Sequence, residues 1–341
     1  MKHLYIRTEA NKTTAMGHMM RCVSIAKSAR KLGAEVTFIV AEESSGFLPE
    51  KEGFEIISLN KKWDDFDSEI PIMEKLISDR NIEILLIDSY WINEKYMQDI
   101  SKLTRTAYID DLHDCIWPAD ILINYSVYYE LFDYSSEYRG KKLLLGTDYF
   151  PLRSEYIGLE KRIITDEVRN VLVVSGGSDE LHFMKNFVSR LITADRFADI
   201  NFTFILGNFN SDYDEILKLT NDRENIKVLK ALPTLKDAML STDLIISAGG
   251  TSLYETAACS LPAITYILAD NQYYNATNFA KKGLAIYAGD IRESGTIEAI
   301  EEALIKLIDD KKLREKMSDK LFNLLDGKGA DRIAEELCSF Q

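Results

Sequence analysis

Short β-branched runs and amphipathic stretches alternate along almost the whole of this chain, and that alternation leaves little choice of architecture. His3–Arg7 reads as a strand. From His18 to Leu32 the apolar positions Cys22, Ile25, Ala26, Ala29 and Leu32 recur at helical spacing, and Glu35–Val40 is again a mostly apolar strand. The helix closes on Arg30-Lys31-Leu32-Gly33, with cations against the negative end of the dipole and a glycine free to turn left-handed. Two strands joined by a helix of this length form a βαβ unit, and βαβ units build parallel sheets.

The series continues with strand Phe54–Leu59, a helix near Ser68–Arg80, strand Ile84–Asp88, a short helix after Asn93, and strands Thr106–Asp111 and Asp120–Asn124. Six strands therefore precede residue 146. Lys161–Glu167 is charged and without a clear period, so the domain boundary is placed there, between domains 1–163 and 164–341, with the last helix free to pack back on the first domain. A second series follows. Val171–Val174 leads into Ser175-Gly176-Gly177-Ser178 and a helix across Phe183–Ile192, and Phe202–Leu206, Ile226–Leu229, Leu244–Ser247 and Ala263–Leu268 read as further strands. Ile297, Ile300, Leu304, Leu307 and Ile308 mark a late helix face. The two halves share one plan, which predicts an α/β chain of two Rossmann-like, doubly wound domains facing a cleft, with ligands outside the carboxyl ends of the strands.

Composition removes several function classes. With 41 Lys and Arg against 55 Asp and Glu, the net charge is −14, a field that disfavours nucleic acid and anionic membranes. No apolar run approaches the roughly 18 residues of a membrane span. The segment MKHLYIRTEANK lacks the apolar core of a signal peptide, so the cytoplasm is the expected location. Cys22, Cys115, Cys259 and Cys338 are scattered, without the spacing of a disulfide framework or a zinc site.

Three glycine-containing turns follow strands and open helices: Ala15-Met16-Gly17-His18, Ser175-Gly176-Gly177-Ser178 and Ser247-Ala248-Gly249-Gly250-Thr251-Ser252. Helix starts offer free N–H groups and a positive dipole end to a phosphate, and a missing Cβ lets it come close. None matches the P-loop or the GxGxxG fingerprint, which weakens ATPase and dehydrogenase readings. One glycine turn alone is more often a tight turn than a site. The Gly249–Ser252 turn is read as functional because Glu255 lies one helical turn beyond, where a carboxylate can take both ribose hydroxyls. His18 stands beside Gly17 at a helix start, where the dipole disfavours imidazolium and leaves a neutral base. A lone histidine is more often a cap or a core residue. Asp88-Ser89-Tyr90-Trp91 ends an apolar strand; its bland reading is a cap for the next helix. Asp110-Asp111 has no convincing metal-ligand spacing and reads as turn or capping duty. Tyr125, Tyr128, Tyr129, Phe132 and Tyr134 read as packing surface. Asn271-Gln272 either binds a sugar or caps the helix it precedes.

Taken in order, Ile6-Arg7, Gly17-His18-Met19-Met20-Arg21-Cys22, Ile87-Asp88-Ser89-Tyr90, Asp110-Asp111, Gly146-Thr147-Asp148-Tyr149 with Leu152-Arg153, Ser175–Asp179, Ser247–Glu255, Asp270-Asn271-Gln272 and Asp326-Gly327-Lys328-Gly329-Ala330 resemble the UDP-sugar hydrolases of pseudaminic acid biosynthesis. Those enzymes act on UDP-2,4-diacetamido-2,4,6-trideoxy-β-L-altropyranose. The second half also resembles the nucleotide-binding domain of the transferases that add N-acetylglucosamine to lipid-linked peptidoglycan precursors, and both families have the GT-B architecture. Two departures stand out: Ala15 replaces a glycine common in the hydrolases, and Tyr125-Ser126 stands where they often have Gln-Asn.

The resemblance implies release of UDP from the anomeric carbon, with inversion, and assigns roles. His18 is the base, with Tyr90 and Asn271 holding sugar or water. Gly17, Gly176, Gly177, Gly249, Gly250, Thr251, Ser252 and Glu255 take the nucleotide. Arg21, Asp88 and Gln272 contact the sugar. No metal and no cofactor is called for, and the expected partner is a small UDP-sugar. A GT-B glycosyltransferase with a UDP-amino-sugar donor is the first alternative and a non-catalytic sugar-nucleotide sensor the second.

Overall fold

The computed structural model describes residues 2–11, 16–176, 179, 181–207 and 210–339. The chain divides into two units. The first runs to Ser154 and takes in the segment from Gly327 onward; the second is Glu155–Asp326.

The first unit holds strands β1 (His3–Thr8), β2 (Glu35–Val40), β3 (Glu55–Ser58), β4 (Ile84–Asp88), β5 (Arg105–Ile109), β6 (Ile121–Asn124) and β7 (Lys142–Leu145) in the order β3-β2-β1-β4-β5-β6-β7. Every pairing is parallel. The middle strands are buried at all or nearly all positions, as a sheet covered on both faces requires. Tyr5, Leu85, Ile87, Leu122, Met73, Met97 and Ile100 belong to the core on one face.

The second unit repeats the plan with β8 (Asn170–Val174), β9 (Asn201–Leu206), β10 (Ile226–Lys230), β11 (Leu244–Ala248), β12 (Ala263–Ile267) and β13 (Ile286–Asp290), in the order β10-β9-β8-β11-β12-β13. This is the doubly wound order, and in each sheet it reverses beside the first strand, between β1 and β4 and between β8 and β11. Loops leaving the carboxyl ends there diverge to opposite faces and open a crevice for a ligand.

Two strands were missing from the sequence reading, which gave six to the first sheet and five to the second. β7 (KLLL) and β13 (IYAGD) are both edge strands with largely half-exposed patterns. An edge strand is covered on fewer sides, so its apolar run is short and easily passed over.

The charged stretch Lys161–Glu167, on which the sequence boundary fell, lies inside the second unit. Its Arg162 donates to the carbonyls of Thr242 and Met239 at 2.5 Å each and to that of Cys259 at 3.3 Å. Arg314 answers it from the helix Lys311–Phe322, donating to the carbonyls of Thr165 and Asp166 at 2.8 Å. The helix Gly329–Ser339 packs on the helix Gly17–Lys31 in the first unit.

Candidate functional site

In the first unit the residues singled out from sequence converge at the reversal point. β1 pairs with β4 so that Thr8 lies opposite Asp88. The chain leaving β1 returns in the helix Gly17–Lys31, whose buried face carries His18, Arg21 and Cys22. Positions three and four apart share a helix face, and that face looks onto the end of β4. Asp88 is fully buried there. Arg21 grips it with both arms of its fork, Nε to Oδ2 at 2.6 Å and a second, very short contact from Nη2 to Oδ1. The Cys22 thiol donates to the same carboxylate at 3.3 Å. Burial alone would raise the Asp88 ionisation; the Arg21 guanidinium outweighs it and holds the carboxyl well below the usual range. Asp88 therefore stays an anion and does not cap the next helix, a duty that Asn93 performs by accepting from the Tyr96 N–H at 2.8 Å.

His18 is 4% exposed. Its Nδ1 lies 2.9 Å from Asp88 Oδ1, off the line of a straight hydrogen bond, so the contact is chiefly one of charge and dipole. The Tyr90 ring meets the imidazole edge-on at 4.3 Å between centroids.

Two residues not assigned to the site complete this cluster. Asp111, just past β5, accepts from Arg21 at 2.7 Å and from the Tyr90 hydroxyl at 2.9 Å. Tyr125, just past β6, receives a very short contact from Arg21 and lies under its guanidinium, 5.5 Å from the ring centroid. Of the two neighbours expected in turn or capping duty, Asp110 takes that role, accepting from the His113 N–H at 2.8 Å, and Asp111 does not. Behind the cluster, Arg7 bonds Glu69 at 2.9 and 2.6 Å and Glu9 at 2.6 Å, all fully buried. Arg21 and Asp88 thus spend most of their hydrogen-bonding capacity on each other and on their neighbours. Gly17 is the exposed first residue of its helix.

In the second unit the reversal point lies between β8 and β11. Gly176, two residues past β8, has φ +89°, a left-handed conformation suited to glycine, and open space where a Cβ would stand. Gly177 and Ser178 lie outside the described residues, as does Ala15 of the first turn. Past β11, Gly249 and Gly250 serve different ends. A Cβ on Gly249 would stand 2.7 Å from the Ala276 Cβ, so this glycine lets the turn seat against the helix Tyr273–Lys281. A Cβ on Gly250 would meet nothing within 4 Å. Asn275, which the sequence reading passed over, ties the turn down by donating to the carbonyls of Gly249 and Gly250 at 2.9 and 3.0 Å, while Tyr254 holds its other end at 3.0 Å. Thr251 is exposed, and the Ser252 hydroxyl lies 3.1 Å from that of Ser247. Glu255 sits in the helix Ser252–Ala258 and accepts from the Tyr156 hydroxyl at 3.2 Å. Asn271 and Gln272 follow β12. Asn271 is exposed; the Gln272 side chain accepts from the Leu268 N–H at 2.9 Å, bracing the turn between strand and helix.

Residues 171–337 match the family model described as the glycosyltransferase family 28 C-terminal domain. An uncharacterised protein of Methanocaldococcus jannaschii is 24% identical over 307 residues, 86% of this chain and 61% of that protein. The spore coat polysaccharide biosynthesis protein SpsG of Bacillus subtilis is 22% identical over 335 residues, 97% of this chain and 96% of its own. A Helicobacter pylori protein named pseudaminic acid cytidylyltransferase and UDP-2,4-diacetamido-2,4,6-trideoxy-β-L-altropyranose hydrolase is 24% identical over 281 residues, 80% of this chain but only 46% of that protein. Among solved structures, Acinetobacter baumannii MurG superposes with a TM-score of 0.70 at 13% identity, covering 99% of each chain. The fold is GT-B. Staphylococcus aureus MnaA, solved with UDP, superposes with a TM-score of 0.67 at 12% identity over 99% of this chain and 96% of its own. Among the described residues no helix is long and apolar enough to cross a membrane, and no three His, Cys, Asp or Glu side chains are grouped to hold a metal ion.

Proposed function

We propose that this GT-B protein hydrolyses a UDP-activated 2,4-diacetamido-2,4,6-trideoxyhexose to UDP and the free sugar, with inversion at the anomeric carbon. The observation that carries the reading is the His18–Asp88–Tyr90 cluster at the reversal point of the first sheet. The carboxylate 2.9 Å from Nδ1 favours the tautomer that carries its proton on that nitrogen, leaving Nε2 as the base. In the reaction, the oxygen of a water molecule bonds to the anomeric carbon and gives one proton to His18. The bond from that carbon to the diphosphate breaks, and its electron pair leaves with UDP. Charge growing on the diphosphate is met by the Gly249–Ser252 turn and by Gly176, in the manner of a preorganised anion site. Glu255 takes the ribose hydroxyls, with Tyr156 fixing its second oxygen. Tyr90 and Asn271 hold sugar or water. Arg21 and Asp88 act on the sugar through the groups they orient, and Gln272 shapes the turn that presents Asn271.

The likeness to the Helicobacter pylori protein supports hydrolysis and the diacetamido sugar. The match of the second half to a glycosyltransferase family supports the other reading, transfer from the same donor to an acceptor other than water. The two separate in one assay. UDP-2,4-diacetamido-2,4,6-trideoxyhexose is incubated with the protein alone, and products are followed by NMR. Free sugar and UDP appearing without an acceptor is the expected result; turnover only after an acceptor is added overturns hydrolysis. His18→Asn is expected to lower turnover by roughly a hundredfold or more with a smaller effect on affinity, and Glu255→Ala to weaken chiefly the affinity for UDP. Tight binding with no turnover, unaffected by His18→Asn, would instead mark a sensor.

A further inference from the structure

Tyr90 has one hydroxyl proton, and the structure shows where it is spent. The hydroxyl donates to Asp111 Oδ2 at 2.9 Å. That oxygen is held from the other side by Arg21 at 2.7 Å, and the backbone of Asp111 is fixed by the Tyr128 hydroxyl, which donates to its carbonyl at 2.6 Å. A carboxylate that takes a guanidinium N–H on the same oxygen has no proton to give, so Tyr90 donates and Asp111 accepts. Burial and the Asp111 charge also push the Tyr90 ionisation well above its ordinary range, which keeps the proton in place. With its proton given to Asp111, the phenolic oxygen has only lone pairs left to offer a further partner, and the Tyr90 ring stands edge-on to His18.

We propose that Asp111 is a positioning residue that makes Tyr90 a hydrogen-bond acceptor towards the bound sugar, so that the group Tyr90 recognises is an N–H or O–H donor on the hexose. The inference rests on the reading that a UDP-diacetamido sugar meets this cluster. Beyond the glycosidic oxygen, such a sugar carries three donors: two acetamido N–H groups and the 3-hydroxyl. Sites built around a fixed acceptor reject an analogue that lacks the matching donor, because the acceptor is then left dry and unpaired.

The test uses the full chain and four ligands: UDP-2,4-diacetamido-2,4,6-trideoxyhexose, its two forms N-methylated at one acetamido group, and its 3-deoxy form. Affinity for each is measured by isothermal titration with every protein carrying His18→Asn, so that the ligand survives the titration, on the otherwise wild-type chain, Tyr90→Phe, Asp111→Asn and Asp111→Ala, with UDP alone as the control on every variant. On the otherwise wild-type chain, one analogue is expected to bind at least tenfold more weakly than the parent. In Tyr90→Phe that penalty disappears. In Asp111→Ala it shrinks, since the released phenolic proton can turn outward, and Asp111→Asn falls between because its amide oxygen still receives Tyr90. Affinity for UDP is expected to stay unchanged throughout. The identity of the penalised analogue distinguishes an amide from a hydroxyl. A wild type indifferent to all three analogues, or a penalty of equal size in Tyr90→Phe, overturns this inference alone. A wild type that fails to bind the parent sugar nucleotide overturns the functional reading and this inference with it. If Asp111→Ala does not fold, Asp111→Asn carries the test of positioning, and a penalty as large in the Asp111 variants as in the wild type overturns the role of Asp111.

Discussion

Asp110 and Asp111 are neighbours in the chain and opposites in environment. Asp111 shares an oxygen between a guanidinium and a phenol. Asp110 is buried with the His113 N–H and the Tyr134 hydroxyl as donors and has no guanidinium bonded to it among the described residues. Burial pushes its ionisation up to about 6, with the Asp111 charge adding to the rise against those two hydrogen bonds. A carboxyl raised in the folded state favours folding most when it is neutral. Its contribution is complete below about pH 4, the unfolded value, and is lost as pH rises through about 6. Asp110→Asn is therefore expected to gain stability relative to the wild type between pH 4 and pH 8, by about 2–3 kcal/mol at one pKa unit per ~1.4 kcal/mol. Urea midpoints measured across that range check it; parallel curves for the two proteins would refute it. The same dipeptide shows what the sequence could and could not convey. Strand-ending carboxylates were visible as such, and one was correctly read as local turn duty. The partner that gives Asp111 its role is Arg21, 90 residues earlier, and Tyr125 reaches the same arginine across 104. No local pattern encodes a contact of that separation; it exists only once β1, β4, β5 and β6 stand side by side.

At the scale of elements, the two glycines past β11 separate packing from ligand contact. Gly249→Ala must push the turn off Ala276 and is expected to cost about 1–3 kcal/mol of stability through overpacking. Gly250→Ala meets open space and is expected to leave the melting temperature nearly unchanged while weakening UDP binding. Thermal melts paired with UDP titration read both, and equal destabilisation by the two changes would refute the division. Helices with a marked apolar face, such as Phe183–Leu191 and Thr296–Asp309, were legible from their period, and the deeply buried strands β1, β2 and β4 from their apolar runs. The edge strands β7 and β13 were not. The stretch Lys161–Glu167 misled for a related reason: its charges look solvated, yet Arg162 is spent on backbone carbonyls of the second unit. A half-buried arginine whose side-chain hydrogen bonds go to backbone carbonyls leaves no mark in the sequence distinguishing it from a surface cation.

At the scale of the whole molecule, the two sheets repeat one strand order and carry their candidate groups at corresponding reversal points. The second unit is continuous in sequence, whereas the first is closed by a helix from the far end of the chain. Gly329 is the tightest point of that closure, since a Cβ there would stand 2.2 Å from the carbonyl oxygen of Phe150. Arg332 donates to the Asp148 carbonyl at 2.7 Å, and Lys142 pairs with Glu336 at 2.8 Å. Gly329→Ala is expected to destabilise the first unit by several kcal/mol, since backbone and not a mobile side chain blocks the way. Hydrogen exchange would then show faster opening across β1 and the helix Gly17–Lys31, with 155–326 unaffected; uniform protection would refute it.

That returning helix also dictates a schedule. On the ribosome, residues 155–326 emerge with everything their sheet requires, while the apolar flank of 17–31 waits uncovered until 327–339 have been translated. The part made first is thus finished last, and during that interval its unsheltered flank is the natural target for a chaperone.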